Sequence, residues 1–167
     1  MNIHDIRLLY NYNYWANGQI LATAKKVTVE QFLASAEFPY GGLRGTMTHI
    51  IEAEWGWRVR CQGLGYAEEL LETEFPTLAS LETRWKEEEK SMRAFLARLR
   101  DENMESMVRY KTYPPPGEIR ERVLWHCLFS VVNHGTQHRS EAAALLTRYG
   151  QSPGDLDFNF FMDQSKS

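Results

Sequence analysis

Histidines are the residues of this chain best suited to chemistry, and two of the five lie four positions apart. His134 and His138 fall in a segment with helical periodicity, so one helical turn brings both imidazoles to the same face. Two imidazole nitrogens placed in this way can reach one metal ion at about 2.0–2.1 Å. An H-x-x-x-H pair also arises by chance, so the pair alone leaves ordinary helix histidines as the alternative.

A third histidine, His49, lies within another segment with helical periodicity, in the stretch Gly45-Thr-Met-Thr-His-Ile-Ile-Glu52. Helix bundles build metal sites from inward side chains on facing helices. If the helix of His49 faces that of His134 and His138, the three form a set with at least one open coordination position. That pattern is typical of catalytic rather than structural zinc sites. The alternative is that His49 is a hydrogen-bonded histidine in a helix interface.

Two carboxylates follow these histidines at equal spacing. Glu52 lies one turn beyond His49, and Glu141 lies one turn beyond His138. Either could orient an imidazole, supply a fourth ligand or act as a general base, and Glu141 is the candidate catalytic residue. Solvent-facing helix acids are the equal alternative. A di-iron carboxylate site is disfavoured, because it requires Glu-x-x-His where this chain has His-x-x-Glu.

The remaining histidine and cysteine positions favour structural roles. His126 lies two turns before His134 and could reach the rim of the site, but packing in the interior near Trp125 is the favoured interpretation. Cys127 could be a thiolate ligand, yet a buried structural cysteine is the default. No nucleophile is predicted at Cys61. Two cysteines are too few for a disulfide framework or a four-cysteine metal site.

Helical periodicity predicts the elements that position these residues. Four long segments show it, at residues 3–26, 43–62, 76–103 and 118–149. A capping box at Thr28 predicts a further short helix, and residues 107–113 suggest an extended piece ended by the prolines at 114–116. Gly150 suits a helix C-terminus, and the apolar tail that follows is expected to dock on the helices or on a partner. These features predict one all-α domain over residues 1–167, a four-helix bundle with long interhelix connections.

Composition excludes several classes of protein. The 167 residues are 43% hydrophobic and 25% charged, which is typical of a globular domain and not of a disordered chain. The net charge of −3 disfavours nucleic acid as a partner. Without a long apolar run, we expect no membrane partner and a soluble, cytoplasmic protein. Phosphate-binding glycine loops and the Gly-x-Ser-x-Gly motif are missing, so nucleotide-dependent and serine-hydrolase chemistry have no support.

Short motifs along nearly the whole chain resemble one known family. They are Tyr14-Trp-Ala-Asn17, Leu43-Arg-Gly-Thr46 with His49, Ala53-Glu54-Trp55, Asn133-His134 with His138-Arg139, and Gly150 with Pro153-Gly154. Their order and spacing are similar to those of the DinB-like (DinB/YfiT-like) family of metal-binding four-helix bundles. The chain departs from that family at His138-Arg-Ser-Glu141, where the family often has His-Arg-Gly-Gln.

The resemblance implies a site and a chemistry. Carried over by position, His49, His134 and His138 would bind a divalent metal ion, zinc or nickel first, with iron and manganese as alternatives. Such a protein would be a metal-dependent enzyme that activates a low-molecular-weight thiol (S-transferase-like, with an electrophile in an aromatic-lined pocket) or water. The alternative is a non-catalytic metal-binding stress-response protein. The family also implies a homodimer.

Overall fold

The computed structural model describes residues 1–63, 65, 69–112 and 117–164. Over these ranges the chain is mostly helical, with six α-helices and one small antiparallel sheet. The helices are α1 Ile3–Ala24, α2 Val29–Leu33, α3 Leu43–Cys61, α4 Leu78–Arg98, α5 Leu124–Arg148 and α6 Phe158–Gln164, and the strands are β1 Met107–Lys111 and β2 Ile119–Val123. Within the described ranges, no helix is long and apolar enough to cross a membrane.

Side-chain caps explain where three of the helices begin. The side chains of Asn2 and Thr28 each accept a hydrogen bond from the backbone N–H three residues on, and Thr77 does the same at the start of α4. Each cap satisfies an N–H that has no partner within the helix. The short helix predicted at Thr28 is therefore confirmed. At the other end of α5, Gly150 adopts a φ of +76°, as expected for the residue after a helix.

The long helices pack so that α1 and α3 each contact both α4 and α5. Two apolar clusters lie along them. One contains Tyr10, Met92 and Leu128, and the other contains Ile20, Leu43 and Leu145. Buried polar side chains occupy the intervening turns of all four helices, namely Asn13, Asn17, Glu54, Glu88, His138 and Arg139. The contact between α3 and α5 is the one that the three-histidine prediction required.

Two predicted helix boundaries are wrong. α5 begins at Leu124 rather than at residue 118, because Ile119–Val123 pairs as β2 with β1, and Val108 stands opposite Arg122. The sequence signal in this stretch is local, whereas strand pairing depends on partner residues 8 to 16 positions away. The predicted extended piece is confirmed over β1, while its last residue, Tyr113, and the prolines at 114–116 lie outside the described residues.

α4 ends at Arg98 rather than near residue 103. The Arg7 guanidinium of α1 donates to the carbonyl oxygens of Leu96 and Leu99 at 3.0 and 3.1 Å. These carbonyls therefore find partners outside the helix, which allows the chain to leave α4 at extended Leu99. A short 3-10 helix at Asp101–Asn103 follows.

The apolar tail docks on α1 of the same chain. Phe158 meets the Tyr12 ring edge-on at 5.4 Å, and Phe161 packs against the Trp15 ring at 5.7 Å. The Tyr12 hydroxyl donates to the carbonyl oxygen of Leu156 at 2.9 Å. Of the two expectations for the tail, docking on the helices is therefore what the structure shows.

Candidate metal centre

The three histidines singled out in the sequence come together between α3 and α5. Their candidate ligand atoms lie within 4.8 Å of one another, and Nε2 of His134 stands 3.0 Å from Nε2 of His49. His138 is buried, while His49 and His134 are half-buried. The cluster is thus partly exposed to solvent, with His138 as its least exposed member.

A carboxylate lies behind two of the rings. Glu52 Oε2 is 3.2 Å from Nδ1 of His49, and Glu141 Oε2 is 2.8 Å from Nδ1 of His138. A carboxylate only accepts hydrogen bonds, so each Nδ1 carries the proton. The other nitrogen, Nε2, then presents a lone pair. Orientation of this kind is what supporting carboxylates do at metal-binding histidines.

These contacts exclude one of the roles predicted for Glu52 and Glu141. Glu52 and Glu141 are 27% and 17% exposed, and each contacts a histidine, so neither is a freely solvated helix acid. The candidate ligand cluster in the described part of the chain contains the three histidines and neither carboxylate. A general-base role for Glu141 stays a prediction.

The electrostatics of the cluster keep His134 neutral. Burial, and then the neighbouring rings of His138 and His49, lower the pKa of His134 to about 4, against the weaker opposing effect of Glu52. At neutral pH the ring is therefore unprotonated. A neutral imidazole is the form that binds a metal ion.

The donor set fits a divalent ion. Two nitrogens bound to the same ion at about 2.0–2.1 Å lie roughly 3 Å apart, and the Nε2 atoms of His49 and His134 have this spacing. Without an ion or a proton between them, two lone pairs would face each other at that distance. Imidazole ligands suit zinc, nickel, copper and iron alike, so the three histidines do not choose the metal.

Sequence reasoning missed Tyr40, which covers the cluster. Its ring stacks on the His49 ring with centroids 3.4 Å apart, and the edge contact to His138 is 5.2 Å. Burial, followed by the charges of Glu52 and Glu141, raises the pKa of Tyr40. The sequence signal was limited to the chain break at Pro39–Gly42, directly before α3.

A glycine allows Tyr40 to approach so closely. A Cβ on Gly45 would lie 2.0 Å from the carbonyl oxygen of Tyr40, which is far inside contact distance. The segment before α3 can therefore cross the first turn of that helix only because residue 45 has no side chain.

The sequence also gave no sign of the buried network behind the cluster. Arg139, which is 1% exposed, donates to the side-chain oxygens of Asn13 and, at 3.0 Å, of Asn17. The amide of Asn13 donates in turn to Glu54 at 3.1 Å, and the Tyr14 hydroxyl donates to Glu54 at 2.7 Å. The Asn13 amide thus links a buried cation to a buried carboxyl group, and each of the two has hydrogen-bond partners.

Burial dominates the titration of Glu54. It raises the pKa of this carboxyl to about 7, with a further rise from Glu88, against the lowering effects of Tyr14, Asn13 and Arg139. Glu54, Asn17 and Arg139 belong to the motifs that resemble the DinB-like family. Their mutual contacts, however, depend on how three helices pack.

The other candidates lie away from the cluster. His126 is exposed and its ring rests on Trp125 at 4.1 Å, so the prediction of interior packing is wrong. Cys127 is buried in an apolar cluster, as predicted. A hydrogen bond with Cys127, followed by burial, raises the pKa of Cys61. Neither cysteine is part of the histidine cluster.

This chain is similar to known proteins over nearly its whole length. A protein of Bacillus subtilis (strain 168), Protein DinB, is 25% identical to this chain in an alignment of 166 positions. The alignment covers 95% of this chain and 94% of that protein. The sequence profile of the DinB family matches residues 1–166. The matched range includes the positions of all three histidines, and the chain belongs to the DinB family.

Proposed function

We propose that the four long helices form a four-helix bundle that holds a divalent metal ion, zinc or nickel, through His49, His134 and His138. The closed set of contacts in which α1 and α3 each touch α4 and α5 supports the bundle. The observation that carries the metal site is the convergence of three imidazoles within 4.8 Å, two of them with a carboxylate behind the ring.

We further propose that the protein is a metal-dependent enzyme acting on a low-molecular-weight thiol or on water. When bound, the ion would lower the pKa of a thiol or water beside it and so supply a nucleophile near neutral pH. Three imidazole ligands leave a coordination position open for such a ligand. Glu52 and Glu141 act as positioning residues, because each fixes the Nδ1 proton of a histidine.

A second candidate is non-catalytic metal binding, and the contact of Tyr40 favours it. The ring lies flat on His49 and is 41% exposed, so it covers part of the open side of the cluster. In this case the ion would tie α3 to α5 and stabilise the fold.

Cobalt(II) substitution distinguishes the two candidates. The protein is loaded with cobalt and titrated with a small thiol, and the visible and near-ultraviolet spectrum is followed. An enzyme with an open position shows a new sulfur-to-cobalt absorption band and then metal-dependent conjugation of an electrophile. A spectrum that stays unchanged at saturating thiol, in wild type and in Tyr40→Ala, contradicts thiol activation and leaves water activation or non-catalytic metal binding as the function.

A further inference from the structure

A cavity of about 300 Å³ lies between α1, α3 and α4. Of its lining residues, Tyr14, Asn17 and Glu54 are buried and define what we call its deep end, whereas the exposed side chains of Lys25 and Lys86 define its mouth. None of the three clustered histidines lines it. Glu54 follows His49 by five residues, about 140° around α3, so the cavity and the histidine cluster lie on different faces of that helix.

The deep end of the cavity is acidic. Glu54 is 5% exposed and accepts one hydrogen bond on each oxygen, from Tyr14 and Asn13. No lysine or arginine in the described ranges forms an ion pair with it. The other deep carboxylate, Glu88, is instead paired with Arg58. Glu54 therefore retains free acceptor capacity and lacks a direct cationic partner.

The basic residues of the lining are already engaged at the mouth. Lys25 and Lys86 are 54% and 69% exposed, and both form ion pairs with Glu82, at 2.9 and 2.7 Å. They would not serve as deep anchors for an anion. The polarity of the cavity therefore suits a ligand whose positive end lies deepest.

The walls suit an apolar body. Leu21, Ile50, Ile51 and Trp85 also line the cavity. An indole also attracts a cation through its ring face. A pocket of this size and lining, with few convergent polar groups, is typical of small-molecule sites.

Gly18 lines the cavity without contributing a side chain. It lies inside α1, where glycine costs about 1 kcal/mol relative to alanine. A Cβ at this position would meet no atom within 4 Å. Packing thus gives no reason for glycine here, and only a large side chain at this position would fill the cavity that Gly18 lines.

We propose that this cavity binds a small primary amine with an aryl or alkyl body, its ammonium group against Glu54. The inference is independent of the metal site. A cation at this position would donate to the free lone pairs of the Glu54 carboxylate and supply the charge partner that it lacks.

The test is calorimetric titration with phenethylamine and with 2-phenylethanol, its neutral isostere. Wild type is expected to bind the amine at least about tenfold more tightly. Gly18→Trp, which fills the cavity, should abolish binding, while Gly18→Ala should retain it. Glu54→Gln should reduce the preference for the amine. His134→Ala should bind like wild type, which separates this result from the proposed function.

Three outcomes overturn the proposal. They are no binding of either probe by wild type, equal affinity for amine and alcohol, and unchanged amine binding by Gly18→Trp. Thermal unfolding of both Gly18 variants shows that each is folded, so that loss of binding in Gly18→Trp alone reports on the cavity.

Discussion

The hydrogen bonds behind the histidine rings decide which ring nitrogen faces the cluster. The carboxylate of Glu141 accepts a hydrogen bond from Nδ1 of His138, with an N–O distance of 2.8 Å. Glu52 does the same for His49 at 3.2 Å. Without these acceptors, each ring could rotate or change tautomer and lose its lone pair toward the cluster. With the proposed metal ion bound, the acids would thus contribute to metal affinity without being ligands.

Glu141→Ala is therefore expected to weaken zinc binding by about 10–100-fold. Glu141→Gln should stay closer to wild type, because an amide oxygen still accepts from Nδ1. Competition titration with a chromophoric chelator measures both. The exposed acid Glu87, changed to alanine, is the matched control. Unchanged affinity in Glu141→Ala would show that this contact does not orient the ring.

Glu54 makes the free energy of unfolding fall as the pH rises, which is the opposite of what most carboxyl groups do. Its pKa is about 7 in the folded chain against 4.5 as the reference value, so between these values the folded state binds more protons than the unfolded state. Its contribution to stability is present below pH 4.5 and is lost as the pH rises through 7.

Glu54→Gln lacks this titration. Relative to wild type, its free energy of unfolding should increase between pH 4.5 and 7 by up to about 3 kcal/mol, since one pKa unit is worth about 1.4 kcal/mol. Urea unfolding of both proteins at several pH values measures the difference. A difference that does not change with pH would mean that Glu54 titrates normally in the folded chain.

At the scale of elements, one crossing places Tyr40 over the site. The segment between α2 and α3 passes so close to the first turn of α3 that a Cβ on Gly45 would lie 2.0 Å from a backbone oxygen. A backbone atom cannot move aside as a flexible side chain can. The position of Tyr40 is therefore tied to residue 45.

Gly45→Ala should displace this segment, lower the melting temperature and remove the stacking of Tyr40 on His49. The NMR shifts of the His49 ring protons report the stacking. Gly18→Ala, at an open position of α1, is the matched control and should raise stability by roughly 0.5–1 kcal/mol. A His49 ring shift that survives Gly45→Ala would contradict the crossing.

The same elements show how far the sequence alone reaches. The long helices and the three histidines were predicted because helical periodicity and motif spacing are local properties. The start of α5 was not, because β2 pairs with a strand that the periodicity of residues 118–123 does not indicate. Tyr40 and the network of Asn13, Glu54 and Arg139 were also missed, since their contacts exist only after separate helices have packed.

At the scale of the whole molecule, the C-terminal tail packs against the N-terminal helix α1. Aromatic side chains of α6 pack against Tyr12 and Trp15 of α1. α1 also carries Asn13 and Asn17 of the buried network. The tail thus supports α1, which lines the cavity between α1, α3 and α4. Homodimerisation stays a prediction.

Phe158→Ala should lower the free energy of unfolding by about 1–2 kcal/mol, because it removes an edge-to-face pair and part of the cover of α1. Phe129→Ala, at a residue of α5 that is 42% exposed, is the control and should change stability little. Chemical denaturation measures both. Equal effects would mean that the tail does not stabilise the helices.

The central claim is that three histidines hold one metal ion, and metal content by mass spectrometry tests it most directly. The protein is prepared without a histidine tag, as wild type, as His134→Ala and as His126→Ala, the last being an exposed histidine of the same helix. We predict about one divalent ion per chain in wild type and in His126→Ala, and loss of the ion in His134→Ala. Wild type that holds no metal, even after incubation with zinc or nickel, would contradict the claim and leave the three histidines as packing residues.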